Sequence, residues 1–271
     1  MPELPEVETT RRGIEPHLLD RKIKRVIVRD RRLRWPVSSR LAKEATGSRV
    51  HSVRRRAKYL LIGTDTGTII IHLGMSGSLR ILPSSTPAEK HDHFDLVIEN
   101  NLVLRLRDPR RFGAVLWTGK DPLKHKRLAG LGPEPLTDQF NSNTIHKQAS
   151  GRILPVKTFI MTAKIVVGVG NIYASEALFR AGIHPETATG KISKQRLGRL
   201  VMAIKSVLSQ AIEQGGTTLK DFTRSDGKPG YFSQSLNVYG REGKNCYQCG
   251  GIIRKLMIGQ RSTFYCPRCQ R

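Results

Sequence analysis

The sequence predicts an α+β protein: a β-sandwich entered through an N-terminal helix, a helical second half, and a small C-terminal β-hairpin module. Three observations carry this. Phe94, Leu96 and Ile98, then Leu102, Leu104 and Leu106, recur at every second position, the period of strands with one buried face. Leu197, Leu200, Val201, Ile204, Val207, Leu208, Ala211 and Ile212 recur at three- and four-residue spacing, which marks one face of a helix. All four cysteines sit near the C-terminus as two C-x2-C pairs.

The elements follow in order. Glu6 and Val7 lead into a helix expected to end near Pro16, because proline breaks the helical hydrogen-bond ladder. From about residue 22 to 118 the texture is β. Ile23, Val26 and Val28 belong to one strand, and Thr68–Leu73 is a short apolar run. Phe94, Leu96 and Ile98, then Asn100-Asn101, then Leu102, Leu104 and Leu106 read as a hairpin of a sandwich. Gly132, Pro133 and Pro135 punctuate a linker. Helices are expected over about 172–181, after Gly168-Val169-Gly170-Asn171, and over about 194–214, with Ser193 as cap and Gly215-Gly216 as stop. A polar loop, Thr217–Tyr231, precedes the cysteine module, whose strands are expected at Ile252–Leu256 and Arg261–Tyr265. The expected division is 1–132, a linker over 133–150, then 151–236 and 237–271.

Charge narrows the function class. Lys and Arg number 47 against 22 Asp and Glu, a net +25 in 271 residues. The basic residues are spread along the chain, as at Arg54-Arg55-Arg56, rather than gathered in a tail. Folded basic surfaces of this strength attract a polyanion, with salt-dependent affinity. No apolar run of transmembrane length and no signal peptide is visible. The expected location is the cytoplasm, in association with the nucleoid.

Cys246, Cys249, Cys266 and Cys269 have the spacing of a four-thiolate zinc site in a reducing compartment. Four thiolates close the metal's shell, so one zinc ion is expected in a structural role.

The N-terminus carries chemistry of its own. Methionine before proline is normally removed, which would leave Pro2 as a free secondary amine. An α-amino group titrates near about 8, far below lysine, so a neutral nucleophilic fraction exists at physiological pH. Such an amine attacking a sugar C1′ yields an iminium, an electron sink for eliminating neighbouring phosphates. Glu3 is adjacent as general acid/base.

Met-Pro-Glu-Leu-Pro-Glu resembles the start of formamidopyrimidine-DNA glycosylases. The resemblance continues in order over the whole chain. It runs through Lys58-Tyr59, His72-Leu73-Gly74-Met75, Asp108-Pro109-Arg110-Arg111-Phe112-Gly113, Gly168-Val169-Gly170-Asn171, Ser225-Asp226-Gly227 and Gln260-Arg261. It implies an oxidised-purine glycosylase and abasic-site lyase acting on double-stranded DNA as a monomer. The helical half becomes a helix–two-turn–helix DNA-binding domain ahead of a zinc finger, with DNA in a basic cleft. The resemblance implies catalytic roles for Pro2, Glu3, Lys58 and Arg261, with Glu6 as supporting carboxylate. His72, Asn171 and Arg261 become phosphate or backbone contacts. Met75, Arg110 and Phe112 fill the gap left by an everted nucleotide. Lys157 lies near the damaged base, and Thr217–Tyr231 covers its pocket. Thr162 stands where family members often carry an acid, and Arg107 adds charge before Asp108. Two other readings stay open on the residues: an endonuclease VIII-type enzyme for oxidised pyrimidines, and a non-catalytic zinc-ribbon DNA-binding protein.

Overall fold

The computed structural model describes residues 2–216 and 236–271; Thr217–Tyr231, expected as a pocket cover, lies outside the described residues. The described residues divide into two compact units, 2–129 with 214–216 and 130–213 with 236–271.

The first unit opens with α1 (Leu4–Leu18), whose buried side carries Leu4, Val7, Ile14 and Leu18. The helix ends at Leu18, two residues past the Pro16 near which it was expected to stop. Proline there removes a bond to the Arg12 carbonyl, on the exposed side of the helix, where solvent can satisfy it.

Two antiparallel four-stranded sheets follow. One has the order β1 (Ile23–Val28), β6 (Asp92–Ile98), β7 (Leu102–Arg107) and β5 (Ser78–Pro83). The other has β2 (Val50–Arg56), β3 (Tyr59–Thr64), β4 (Gly67–His72) and β8 (Ala114–Thr118). Helix α2 (Ser39–Ala45) contributes Leu41 and Ala45 to the same core. The β6–β7 hairpin is in the expected register, Ile98 opposite Leu102. Asn100 and Asn101 adopt left-handed φ values of 63° and 55°, which asparagine tolerates better than most residues. Phe94, Leu96, Ile98, Leu104 and Leu106 are fully buried in the core, each contributing about 1.5–3 kcal/mol of apolar burial.

An ion network is buried on the β6–β7 pair. Arg105 donates to both oxygens of Asp95 at 2.9 Å and to the carbonyls of Thr86 and Pro87. Arg29 also donates to Asp95 at 2.6 Å. Removing one member strands buried charge. Arg105→Ala is therefore expected to destabilise by about 3–5 kcal/mol, read from the shift of a denaturant midpoint at unchanged m-value; a shift under about 1 kcal/mol would show the network to be idle.

The second unit contains α3 (Ser142–Ala149), α4 (Val156–Ile160), α5 (Asn171–Ala181) and α6 (Lys194–Glu213). Helix α3 falls inside the stretch expected as a linker; its Ile145 and Ala149 are buried. All eight apolar residues that predicted α6 are buried on it. Ser193 Oγ accepts from Arg196 N–H at the start, and Gly215 and Gly216 have φ of 75° and 82° after its end. The unit closes with β9 (Arg254–Ile258) and β10 (Arg261–Tyr265). The first of these strands begins two residues later than expected, because Ile252 makes only an isolated bridge to Asn245. No helix among the described residues is long and apolar enough to cross a membrane.

Candidate active site

In the first unit, the chemistry-bearing residues gather around the start of α1 and two loops. Pro2 is buried. Glu3 and Glu6 are 2% and 1% exposed. They form a reciprocal capping box: Glu3 accepts from the Glu6 backbone, and Glu6 Oε2 accepts from Glu3 N–H at 2.7 Å. This fixes the carboxylate neighbouring Pro2 and satisfies two of the helix's orphan donors. Glu6 was expected only as a supporting carboxylate; its capping role was not read from sequence. Nor was the approach of Gly216: a Cβ there, at φ +82°, would sit 3.2 Å from Glu6 Oε1.

Lys58 sits in the two-residue Ala57-Lys58 turn joining β2 to β3, where Arg56 pairs with Tyr59 and Ala57 has φ 54°. Glu8 on α1 accepts from Arg55 at 3.1 Å, and Arg55 donates to the Ala57 carbonyl at 2.9 Å. This relay ties the turn carrying Lys58 to the helix that follows Pro2. Neither Glu8 nor Arg55 was assigned a role from sequence.

His72 lies opposite Tyr59 across the β3–β4 pair, with ring centroids 4.8 Å apart. Its Nδ1 accepts from Gly74 N–H at 2.9 Å, which leaves Nε2 as the protonated nitrogen. Burial, followed by the charges of Lys58 and Arg34, pulls its pKa down to about 4. The imidazole is neutral at physiological pH. Beyond it, a cleft of about 570 Å³ is lined by Arg34, His72, Gly74, Met75, Arg111 and Phe112. Met75 and Phe112 are 37% and 45% exposed. The Arg110 guanidinium stacks over Phe112 at 4.8 Å. Exposed apolar side chains beside an arginine suit insertion into a base stack. Sequence reasoning missed Arg34, whose signal was one basic residue among many.

The second unit holds the other group. Gly168 has φ 81°, and Gly170 caps α5, putting Asn171 in its first turn. Asn171 Nδ2 donates to the Ser262 carbonyl at 2.9 Å. Lys157 is 1% exposed. Its ammonium donates to Asn171 Oδ1 at 2.5 Å, Thr263 Oγ1 at 2.7 Å and the Ser262 carbonyl at 3.3 Å. Lys157, expected to bind DNA near the damaged base, here directs its three donors to these three acceptors. Arg261 is exposed at the end of the β9–β10 turn, where Gly259 and Gln260 have φ of 53° and 60°. Thr162, the departure noted in sequence, donates to the Thr158 carbonyl at 2.9 Å, and Arg107 pairs with Glu89.

Cys246, Cys249, Cys266 and Cys269 have their sulfurs within 4.8 Å of one another. The pairs Cys249–Cys266 and Cys246–Cys269 are 3.4 and 3.9 Å apart, close to the edge of about 3.8 Å for tetrahedral Zn–S bonds of about 2.3 Å. Burial pushes the Cys266 and Cys269 thiols up, whereas a hydrogen bond from the Gly251 backbone leads the fall of Cys249 to about 7. The four cysteines fit one zinc ion with no ligand position left open. Glu176 on α5, missed in sequence, is 2% exposed and accepts the backbone N–H groups of Asn237, Val238 and Tyr239 at 2.8–2.9 Å. It anchors the chain entering the cysteine module.

Three family models match the chain. They are the formamidopyrimidine-DNA glycosylase N-terminal domain at residues 1–115, its H2TH domain at 131–223, and a zinc finger found in FPG and IleRS at 243–271. A formamidopyrimidine-DNA glycosylase of Stutzerimonas stutzeri is 56% identical over 271 residues, all of both chains. The chain belongs to the formamidopyrimidine-DNA glycosylase family. Among solved glycosylases of this family, the Thermus thermophilus MutM (Fpg) protein superposes with a TM-score of 0.89 at 35% identity, covering 99% of this chain and 98% of that one. A Lactococcus lactis Fpg in complex with abasic-site DNA gives 0.92 at 33% identity, covering 99% of each. The glycosylase fold expected from the sequence, with its sandwich, H2TH domain and zinc finger, is the one found.

Proposed function

We infer that this chain is a base-excision repair glycosylase and abasic-site lyase acting on oxidised purines in duplex DNA, with Pro2 as nucleophile. Family membership over the whole chain supports the reaction class. The observation that carries the residue roles is the buried capping box, which holds the Glu3 carboxylate next to Pro2.

The Pro2 amine attacks C1′ of the damaged nucleotide as the bond to the base breaks, while Glu3 supplies a proton to the sugar ring. The amine proton passes to the departing base, the nitrogen lone pair breaks the C1′–O4′ bond, and the protonated ring oxygen leaves as the C4′ hydroxyl, so that an iminium joins Pro2 to C1′. The iminium acidifies C2′: loss of that proton expels the 3′ phosphate, loss of the C4′ proton then expels the 5′ phosphate, and water hydrolyses the iminium to free Pro2, leaving a one-nucleotide gap. Lys58 and His72 hold phosphate, His72 as a neutral Nε2–H donor. Met75, Arg110 and Phe112 fill the space left by the everted nucleotide. Asn171 and Arg261 grip the backbone, and Lys157 acts through them as a positioning residue. Residues 1–132 carry catalysis together with the lesion-side and gap-filling DNA contacts, and 151–236 with 237–271 carry the remaining backbone contacts. The protein works as a monomer in the cytoplasm, where its DNA is.

The endonuclease VIII-type reading is disfavoured by family membership. Two assays test the proposal: excision of 8-oxoguanine opposite cytosine against thymine glycol, and borohydride trapping on abasic-site DNA. Binding without trapping by a protein with a free Pro2 would overturn it in favour of the non-catalytic reading.

The state of His72 gives a separate expectation. Its depressed pKa keeps it uncharged above roughly pH 5.5. His72→Gln should therefore weaken DNA binding by the same factor from roughly pH 5.5 to roughly pH 8.5, with an unchanged salt slope. Lys58→Gln should lower that slope by about 0.9. A penalty for His72→Gln that grows toward acid pH would mean the ring binds as a cation.

A further inference from the structure

We propose that Asp108 is a positioning residue that locks the loop carrying Met75 to the loop carrying Arg110 and Phe112, so that the three side chains enter DNA as one rigid insert. This rests on the gap-filling reading of those side chains given above.

Asp108 is fully buried. Its two carboxylate oxygens are divided between the loops. Oδ1 accepts from Ser76 Oγ at 2.8 Å, and Oδ2 accepts from Gly113 N–H at 2.7 Å. Ser76 Oγ in turn lies 3.4 Å from Arg110 N as its acceptor. The Asp108 carbonyl accepts from Arg111 N–H at 3.2 Å and faces His93 Nε2 at 3.0 Å. Met75 is therefore flanked by a residue bonded to Asp108, and Arg110 to Phe112 span the chain between its two ends of contact.

The backbones confirm how tightly the loops are joined. Gly74 has φ +67°, and a Cβ there would lie 2.3 Å from the Phe112 carbonyl carbon and 2.4 Å from Gly113 N. Arg111 adopts φ 55° without being glycine, a conformation that surrounding bonds must hold. A buried carboxylate is costly unless its oxygens are satisfied. Here it offers what no hydroxyl does, two acceptor atoms on one rigid plane, each facing a different loop. Were the loops independent, each would have to be ordered separately on binding, and that entropy would be lost from affinity and alignment.

The consequence concerns specificity. Filling the gap, Arg110 can donate to the orphaned cytosine opposite, as the family resemblance implies, but only if it is held in register with Met75 and Phe112. Loosening the Asp108 lock should therefore blur the distinction between cytosine and adenine opposite the lesion. It should leave chemistry at Pro2 intact.

The test compares Asp108→Asn, Ser76→Ala and Ser76→Thr with Met75→Ala and Arg110→Ala. Asparagine keeps the shape but turns an NH2 toward one of the two donors. Excision of 8-oxoguanine is measured opposite cytosine and opposite adenine, and cleavage is measured at an abasic site in single-stranded DNA, where no gap needs filling. Expected for Asp108→Asn and Ser76→Ala are a loss of about tenfold or more in duplex excision and a fall of about fivefold in cytosine preference. Single-strand cleavage should stay within about twofold, and Ser76→Thr, which keeps the hydroxyl, should restore both duplex values. If Asp108→Asn does not fold, Ser76→Ala decides alone. Equal losses on single strand and duplex, or an unchanged preference, would overturn the lock. If Met75→Ala and Arg110→Ala also leave duplex excision and preference unchanged, the gap-filling reading itself has failed; if they change them while the lock variants do not, only the lock has.

Discussion

A form of the protein that keeps a residue in front of Pro2 will give no borohydride-trapped adduct, and excision will fall by about 10³-fold or more, roughly 4 kcal/mol of barrier. The reason is electronic. The nitrogen of Pro2 is a nucleophile only as a free amine; in a peptide bond its lone pair is delocalised into the carbonyl. Pro2→Gly is milder, because a primary amine remains, and should lose most trapping while still binding DNA. Binding survives both changes because it rests on the 47 Lys and Arg residues, and losing one charge moves the salt slope by about 0.9 at most. Mass spectrometry of the N-terminus, trapping on abasic-site DNA and fluorescence anisotropy check the three parts together. Undiminished trapping by the blocked form would move the nucleophile elsewhere, with Lys58 in its hairpin turn as the first candidate.

Much of this site was legible because its signals are local. The alternation from Phe94 to Leu106 specified a hairpin, and the structure returns it in register. The eight apolar residues of α6 all point inward. The cysteine spacing specified a cluster, and the four sulfurs meet. What sequence did not reveal depends on partners far along the chain. Asp108 binds Ser76 from 32 residues away, and Glu176 holds backbone amides more than 60 residues downstream. Backbone amides have no residue identity, so an acid that caps them leaves no pattern to read. Lys157 is placed near the damaged base by its motif, but the sequence does not show that its buried ammonium donates to Asn171, Ser262 and Thr263.

Stripping the zinc, by chelation or by Cys249→Ser, should weaken duplex binding about 100-fold or more, roughly 2.7 kcal/mol, while trapping within the saturated complex changes little. The cysteine module has a small core: Cys246, Cys266, Val238, Ile253 and Phe179 are buried together. Its sheet has only two strands, β9 and β10, and an isolated hairpin is marginal in water. The metal's binding energy is thus the module's folding energy. The Ser262 carbonyl and Thr263 Oγ1 on β10 accept from Lys157, and Ser262 accepts from Asn171. Releasing the hairpin therefore frees Arg261 and unties Asn171 in one event. Pro2, Glu3 and Lys58 lie outside that unit, and Arg261 serves the reaction by gripping phosphate, so the loss should appear in Kd and KM rather than in the single-turnover rate at saturating DNA. Metal analysis beside anisotropy and single-turnover trapping separates the two, and returning zinc to the chelated protein should restore affinity. A zinc-free protein that binds duplex as tightly as before would show that the finger does not grip DNA.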